Sequence, residues 1–404
     1  MTASLQPYCG PPLITAAMMM APAAAGIPAL FEGRRVFYCY KARVAIREAV
    51  VILGLMAGDE ILAPAYNCGS ELDPLLAAGL TVKLYPVDEQ AAATAGRIAS
   101  LIGPRTKAVY LTHYFGFLQP DTLAIRELCN KRGLYLIEDC SLSLLSGEPP
   151  AAGFSGDIAI FCFHKFAAVN EGGALVVNNP ALDAGNGFTL PPPRSSSLKL
   201  MARLALNTVL GGNQSARLLA GLRHLRRRQY ASGGRETPNK QRPDILSHYY
   251  FSRVLQGARI GHVVFAVLRR FQVKAAISLR RKNYSQYLSR FDDIAAVKPL
   301  FPALSGDACP QSMPVWIRNR DEVAARLQSM GIAATAWWSG YHRGLDFSSQ
   351  QAACTLKDGI LSLPCHDGLT PAAIDKIVDQ LCMALQHEDT KRQPTPRRDD
   401  TGIC

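Results

Sequence analysis

The chain has no Cys-x-x-Cys pair, although its 404 residues include eleven cysteines. An odd, scattered set supports neither a disulfide framework nor a zinc site, so reduced thiols in a cytosol are expected. The histidines lack metal spacing as well, and no metal is expected. A Gly-x-Gly-x-x-Gly turn and a phosphate-binding P-loop are both missing, which leaves nucleotide folds of those kinds without support. No window offers about 18 uncharged apolar residues in a row, the length a spanning helix needs. The apolar stretch Leu13–Phe31 is broken by Pro22 and Pro28 and has no basic residue before it, so it reads as neither a signal peptide nor a span. A soluble or peripheral protein is expected. Charge is sparse too, at 19% against 48% hydrophobic residues, a globular balance that excludes general disorder.

What is present is an alternation of helical and strand patterns from Arg43 onward. Helices are predicted at Ala42–Met56, Leu72–Ala78 and Asp121–Lys131, the last ended by Gly133. Strands are predicted at Ile61–Ala63, Thr81–Val87, Ala108–Thr112, Leu134–Ile137, Asp157–Phe163 and Ala174–Val177. Apolar strands without alternation, separated by helices, mean an α/β domain whose mainly parallel sheet is covered on both faces. Two helix-like stretches follow, Leu198–Leu210 and Ser215–Tyr230, parted by Gly211-Gly212, and then a polar linker, Ala231–Pro243. Ile245–Leu288 reads as mainly helical. Ala324–Met330, Ile332–Trp338, Ile360–Leu363 and Thr370–Leu385 complete a smaller α+β domain as helix, strand, strand and helix. The expected division is an N-terminal extension (1–33), a large domain (34–243) with a basic helical insertion (194–242), a small domain (244–387) and a disordered tail (388–404).

Two residues stand out chemically. Lys165 ends the apolar run DIAIFCFHK, just before Asn170-Glu171-Gly172-Gly173, and a lysine brought from an apolar strand into a glycine-bearing turn is placed to lose its proton and attack a carbonyl. Asp139 stands at the carboxyl end of LYLIEDC, where open α/β sheets put their ligands. An acid and a lysine on separate strand ends suggest pyridoxal 5'-phosphate, with the lysine holding the aldehyde and the aspartate pairing with the pyridinium nitrogen.

The segments GLMAGDEILAPAYNCGSELDPLLAAGLTVKLYPVD, the stretch from Thr106 to Gly116, LYLIEDCS, GDIAIFCFHK with NEGGALVV, and SMGIAATAWW with LSLPCHDGLT occur in an order that resembles the DegT/StrS-type sugar aminotransferases. These are pyridoxal-phosphate enzymes of fold type I that aminate nucleotide-linked keto-sugars. The resemblance covers most of Arg43–Leu385 and implies Lys165, next to His164, as the Schiff-base lysine and Asp139 as the ring-nitrogen partner. It places Ala42 and Arg43 at the cofactor phosphate, in place of the family's Gly-Thr, and Cys162 where a phosphate-contacting serine is usual. Leu142 and Cys68 fall at positions beside the cofactor ring, and His113 is a further ring contact. Tyr66, Asn67 and Glu171 are expected on the substrate side, with Glu138 facing away. A homodimer is implied. The function implied is transfer of an amino group from an amino acid such as glutamate to a keto-sugar; a dehydratase of the same family, or a binding protein that keeps the fold without catalysis, stays open beside it.

The net charge of +12 is concentrated. Between Arg194 and Arg242 eleven Lys or Arg residues face one acid, Glu236, which weakens any reading of the whole protein as a nucleic-acid binder. This segment has three readings: a solvated helix pair, an electropositive lip that steers an anionic substrate, or a peripheral contact with anionic lipid at the inner membrane face.

Overall fold

The computed structural model describes residues 7–20, 22, 26–150, 152–231 and 243–392. Helix α1 (Ala16–Met20) precedes the first strand, β1 (Arg35–Cys39). There follow α2 (Ala42–Ile52), β2 (Glu60–Pro64), α3 (Asp73–Leu76), β3 (Thr81–Tyr85), α4 (Ala95–Ala99), β4 (Thr106–Thr112), α5 (Thr122–Arg132), β5 (Tyr135–Asp139), β6 (Ile158–Cys162) and β7 (Gly173–Val177). The long helix α6 (Arg194–Ala231) leads to α7 (His262–Leu268) and α8 (Val273–Phe291). The chain closes with β8 (Lys298–Pro299), β9 (Ser312–Trp316), α9 (Arg320–Ser329), β10 (Thr335–Ala336), α10 (Gln351–Gly359), β11 (Ile360–Pro364) and α11 (Pro371–Arg392).

Seven strands form one sheet in the order β1-β7-β6-β5-β4-β2-β3. The run from β3 to β6 is parallel, and β7 and β1 are antiparallel additions. Every residue of β6 and β7 is buried, as expected of strands with both faces covered. On one face α2 buries Val44, Ala45, Ile46, Ala49 and Val50, each larger side chain contributing about 1.5–3 kcal/mol. Helix α5 stops at Gly133, which takes the left-handed conformation (φ 65°) that lets its N–H cap Asn130 and Cys129. The second sheet, β10-β11-β9-β8, is antiparallel.

The structure departs from the sequence reading in several places. Ile245–Leu288 is less helical than expected, with only short 3-10 turns before α7. Helix α7 lies within the stretch expected as the small domain but packs on the seven-stranded sheet: Val264, Val267 and Leu268 share a core with Phe161, Phe163 and Val176. The expected strand Ile332–Trp338 shrinks to β10, while β1, β8 and β9 are additional strands. Helix α11 continues to Arg392, into the tail expected to be disordered; residues 393–404 and most of the expected linker, 232–242, lie outside the described residues. The two helical stretches around Gly211 run as α6, with Gly211 (φ 72°, ψ 167°) as the break between them.

Candidate active site

The topology gathers the chemistry at one edge of the seven-stranded sheet. Strands β2, β4, β5 and β6 are parallel, so the segments after Pro64, Thr112, Asp139 and Cys162 emerge on the same side. Cys39, Gly173 and Cys162 lie in one row across β1, β7 and β6, which brings the start of α2 beside the end of β6. Gly173 is required there: a Cβ would come within 2.7 Å of the Phe161 carbonyl and 2.9 Å of the Ala42 nitrogen.

Asp139 ends β5 and is 4% exposed. One carboxylate oxygen accepts from the Tyr110 hydroxyl at 2.8 Å and the other from the Ser141 N–H at 2.9 Å, so its orientation is fixed. Lys165 follows β6 in a turn closed by the Phe166 and Ala167 N–H groups on the Phe163 carbonyl. The fully buried Arg280 of α8 donates to the Phe166 carbonyl at 2.9 Å and pairs with Asp367 at 3.1 Å, which ties down the far side of the turn. His164 is exposed and Lys165 half-buried, so both keep accessible surface at this edge of the sheet.

The electrostatics correct one expectation. Burial alone would lower the Lys165 pKa, but Cys162, Cys68, Asp139 and Glu71 outweigh it and the net direction is upward. Two of those four are thiols whose own pKa values burial raises, Cys68 to about 12. That direction is opposite to the loss of a proton that the sequence suggested. His164 is the reverse case: burial, then Lys165, Lys41 and Arg43, push it down to about 3, so it is neutral. Its Nδ1 lies 3.1 Å from the Cys162 sulfur.

Not every expected site residue arrives. His113 is buried with both ring nitrogens engaged: Nδ1 accepts from the Gln119 N–H at 2.9 Å, and Nε2 donates to Glu138 at 3.0 Å. It braces the opposite side of the sheet together with Glu138, and the expected ring contact is replaced by a structural one. Asn67 folds its amide onto the carbonyls of Pro64 and Ala65, and Tyr66 and Glu171 are fully enclosed, so none of these three presents accessible surface to a substrate. Leu142 is a core residue. Cys68 hydrogen-bonds Glu71 at 2.6 Å. One guanidinium nitrogen of Arg43 donates to the carbonyls of His248, Tyr249 and Tyr250, which turns this side chain toward that segment.

Other contributors were missed in the sequence. Lys41 precedes α2 beside Cys162 and Glu171. Lys357 of α10 is fully buried, donates to the Asn67 carbonyl at 2.6 Å, and burial pushes it down to about 8. Trp338, at a positive φ of 52°, packs its ring at a tilt against Tyr66 (5.0 Å) and edge-on against Tyr114 (5.8 Å), joining the second sheet's segment to the strand ends. A separate hollow of about 350 Å³, lined by Phe37, Tyr38, Phe188, Arg259 and His262, borders edge strand β1 and includes neither Lys165 nor Asp139.

The donor set fits pyridoxal phosphate. A carboxylate fixed by two donors stands near the lysine, matching a protonated ring nitrogen. Helix α2 begins without a side-chain cap amid Lys41, Arg43 and Lys165 around His164, matching a phosphate.

Comparison with known proteins bears on the same residues. Residues 39–186 match the DegT/DnrJ/EryC1/StrS aminotransferase family. A dTDP-4-dehydro-2,3,6-trideoxy-D-glucose 4-aminotransferase from Saccharopolyspora spinosa is 24% identical over 90% of this chain and 88% of its own length. A UDP-N-acetyl-3-dehydro-alpha-D-glucosamine 3-aminotransferase from Acidithiobacillus ferrooxidans is 31% identical, over 36% of this chain and 40% of its own length. Among solved structures, the aminotransferase TlmJ from Streptoalloteichus hindustanus superposes with a TM-score of 0.64 at 21% identity, covering 95% of this chain and 93% of that one. Residues 39–186 are thus similar to the DegT/DnrJ/EryC1/StrS aminotransferase family, and the α/β architecture around them is the fold of the solved aminotransferases.

Proposed function

We propose that the protein is a pyridoxal-phosphate-dependent aminotransferase that moves an amino group from an amino acid, glutamate in the first instance, to a keto-sugar carried on a nucleotide. The observation that carries this reading is the pair at adjacent strand ends: Lys165 after β6, and Asp139 at the end of β5 with both oxygens held. Relatives that aminate keto-sugars on dTDP and UDP support the substrate class.

Bound in this site, pyridoxal phosphate would supply the electron sink that lets a C–H bond beside nitrogen ionise. The chain's residues supply the rest. Asp139 stays aimed, because Tyr110 and Ser141 donate to its two oxygens and burial pushes the Tyr110 hydroxyl's own pKa well above its usual value, so that it remains a donor. Lys165 Nζ moves the proton: burial favours its neutral form and the neighbouring carboxylates its charged form, so the same atom can take a proton in one step and return it in the next. Lys41, the start of α2 and neutral His164 would hold the phosphate. Cys68 would border the ring, with Leu142 in the core behind it. A homodimer in the cytoplasm goes with this proposal, and among the described residues no helix is long and apolar enough to cross a membrane.

Spectroscopy of the purified protein with added pyridoxal phosphate tests the reading. The wild type is expected to gain the visible band of a lysine-bound cofactor and to lose it on addition of glutamate, while Lys165→Ala gains none. A wild type without the band, or a Lys165→Ala variant that keeps it, refutes the assignment.

A further inference from the structure

Helix α6 is apolar on the side that faces away from the protein. Leu198, Met201 and Val209 are 70%, 52% and 80% exposed, and Ala202 and Ala205 between them are exposed too. These five positions are spaced three, four, seven and eleven residues from the first, so they share one stripe of the helix. The opposite side is already used: Leu200 is in the core beside Val264 and Phe161, and the buried Asn207 side chain donates to the Ile14 carbonyl at 2.9 Å. The helix is therefore held from behind and its outward stripe stays outward.

Charge identifies the occupant. Arg194 and Lys199 flank the stripe and are exposed, and no acidic residue occurs in the sequence from Arg194 until Glu236. Past the break at Gly211, the second limb of α6 carries Arg217, Arg223 and Arg226–Arg228. A second copy of the chain would set one strongly positive segment against another. Nucleic acid would satisfy the charges but leave exposed Leu, Met and Val with nothing apolar to meet. An anionic bilayer surface satisfies both, its acyl boundary taking the stripe and its headgroups taking the cations.

We propose that α6 docks the protein on anionic membrane, with the Leu198–Val209 stripe lying in the headgroup boundary. The inference stands independently of the aminotransferase reading, since no site residue takes part in it.

Vesicle flotation with the full chain tests it. On phosphatidylcholine vesicles holding about 30 mol% phosphatidylglycerol, the wild type is expected to float at low salt and to lose at least about tenfold in affinity at high salt, with no binding to pure phosphatidylcholine. Leu198→Ser, Met201→Ser and Val209→Ser combined, and separately Arg194→Glu with Lys199→Glu, are each expected to weaken binding about tenfold without changing the circular dichroism or melting point, because all five side chains are exposed. Absence of flotation at low salt overturns the proposal. So does a serine triple variant that floats like the wild type, or one whose main effect in sedimentation is to dissociate a dimer. Duplex DNA binding without vesicle binding overturns it as well.

Discussion

Glu171 is fully enclosed, with one carboxylate oxygen accepting from the Gly261 N–H at 3.2 Å and the other without a hydrogen-bond partner. Burial pushes its pKa up to about 7, against the smaller opposing pull of the Gly261 N–H and Lys41. A carboxyl group whose folded pKa lies above its unfolded value favours the native state most at low pH and loses that contribution as pH rises from about 4.5 to about 7. Glu171→Gln removes the titration while keeping the shape. The stability of the variant relative to wild type is expected to improve by about 1–2 kcal/mol between pH ~4.5 and pH ~8, measured by urea unfolding at each pH. A constant difference across that range would contradict the raised pKa. At this scale the sequence was legible where a residue's position follows from the end of an apolar strand. Asp139 and Lys165 were placed that way. It was illegible where the role depends on which way a side chain leaves the strand end: His113 turns under the sheet to Glu138. A buried lysine on a helix gives no sign of itself either, because Lys357 reads in sequence as an ordinary solvated position.

Elements are closely coupled at the row Cys39–Gly173–Cys162, where β7 runs against the first residue of α2. Gly173→Ala would push a methyl group into the Phe161 carbonyl and the Ala42 nitrogen, both backbone atoms that cannot swing away. Thermal and urea unfolding are expected to show a loss of about 2–3 kcal/mol, accompanied by weaker pyridoxal phosphate binding because α2 must shift from β6. A variant as stable as wild type with unchanged cofactor affinity would show that this approach is looser than it stands. Helix α2, with its apolar residues at helical spacing, helix α5, closed by Gly133, and the unbroken apolar runs of β5 and β6 were readable. Strand β9 was not, because Pro314 sits inside it between β11 and β8, a position where proline argues against a strand. Strand β1 was missed although it carries the apolar run Val36–Cys39: it is a five-residue edge strand, only partly buried from Val36 to Tyr38.

Across the whole molecule, one core runs from the seven-stranded sheet through Phe115 and Tyr284 to the second sheet's Met313, Val315 and Leu361. Trp337 and Trp338 pack on it beside Phe115 and Tyr66. A shared core predicts a single unfolding transition. All three tryptophans, Trp316, Trp337 and Trp338, lie in or next to the second sheet, whereas far-ultraviolet circular dichroism reports on every element. The two signals are expected to change together in urea, within experimental error of one midpoint. Separated midpoints would mean that the second sheet unfolds on its own. The position of α7 also bears on how the chain is made. Synthesis completes all seven strands of the large sheet at Val177, yet the face bearing Phe161, Phe163 and Val176 lacks part of its cover until α7 and Phe271 have left the ribosome. During that interval the nascent protein presents a finished but half-naked sheet, so its yield in cells should depend on chaperones that shield apolar surface more than the stability of the finished protein would suggest.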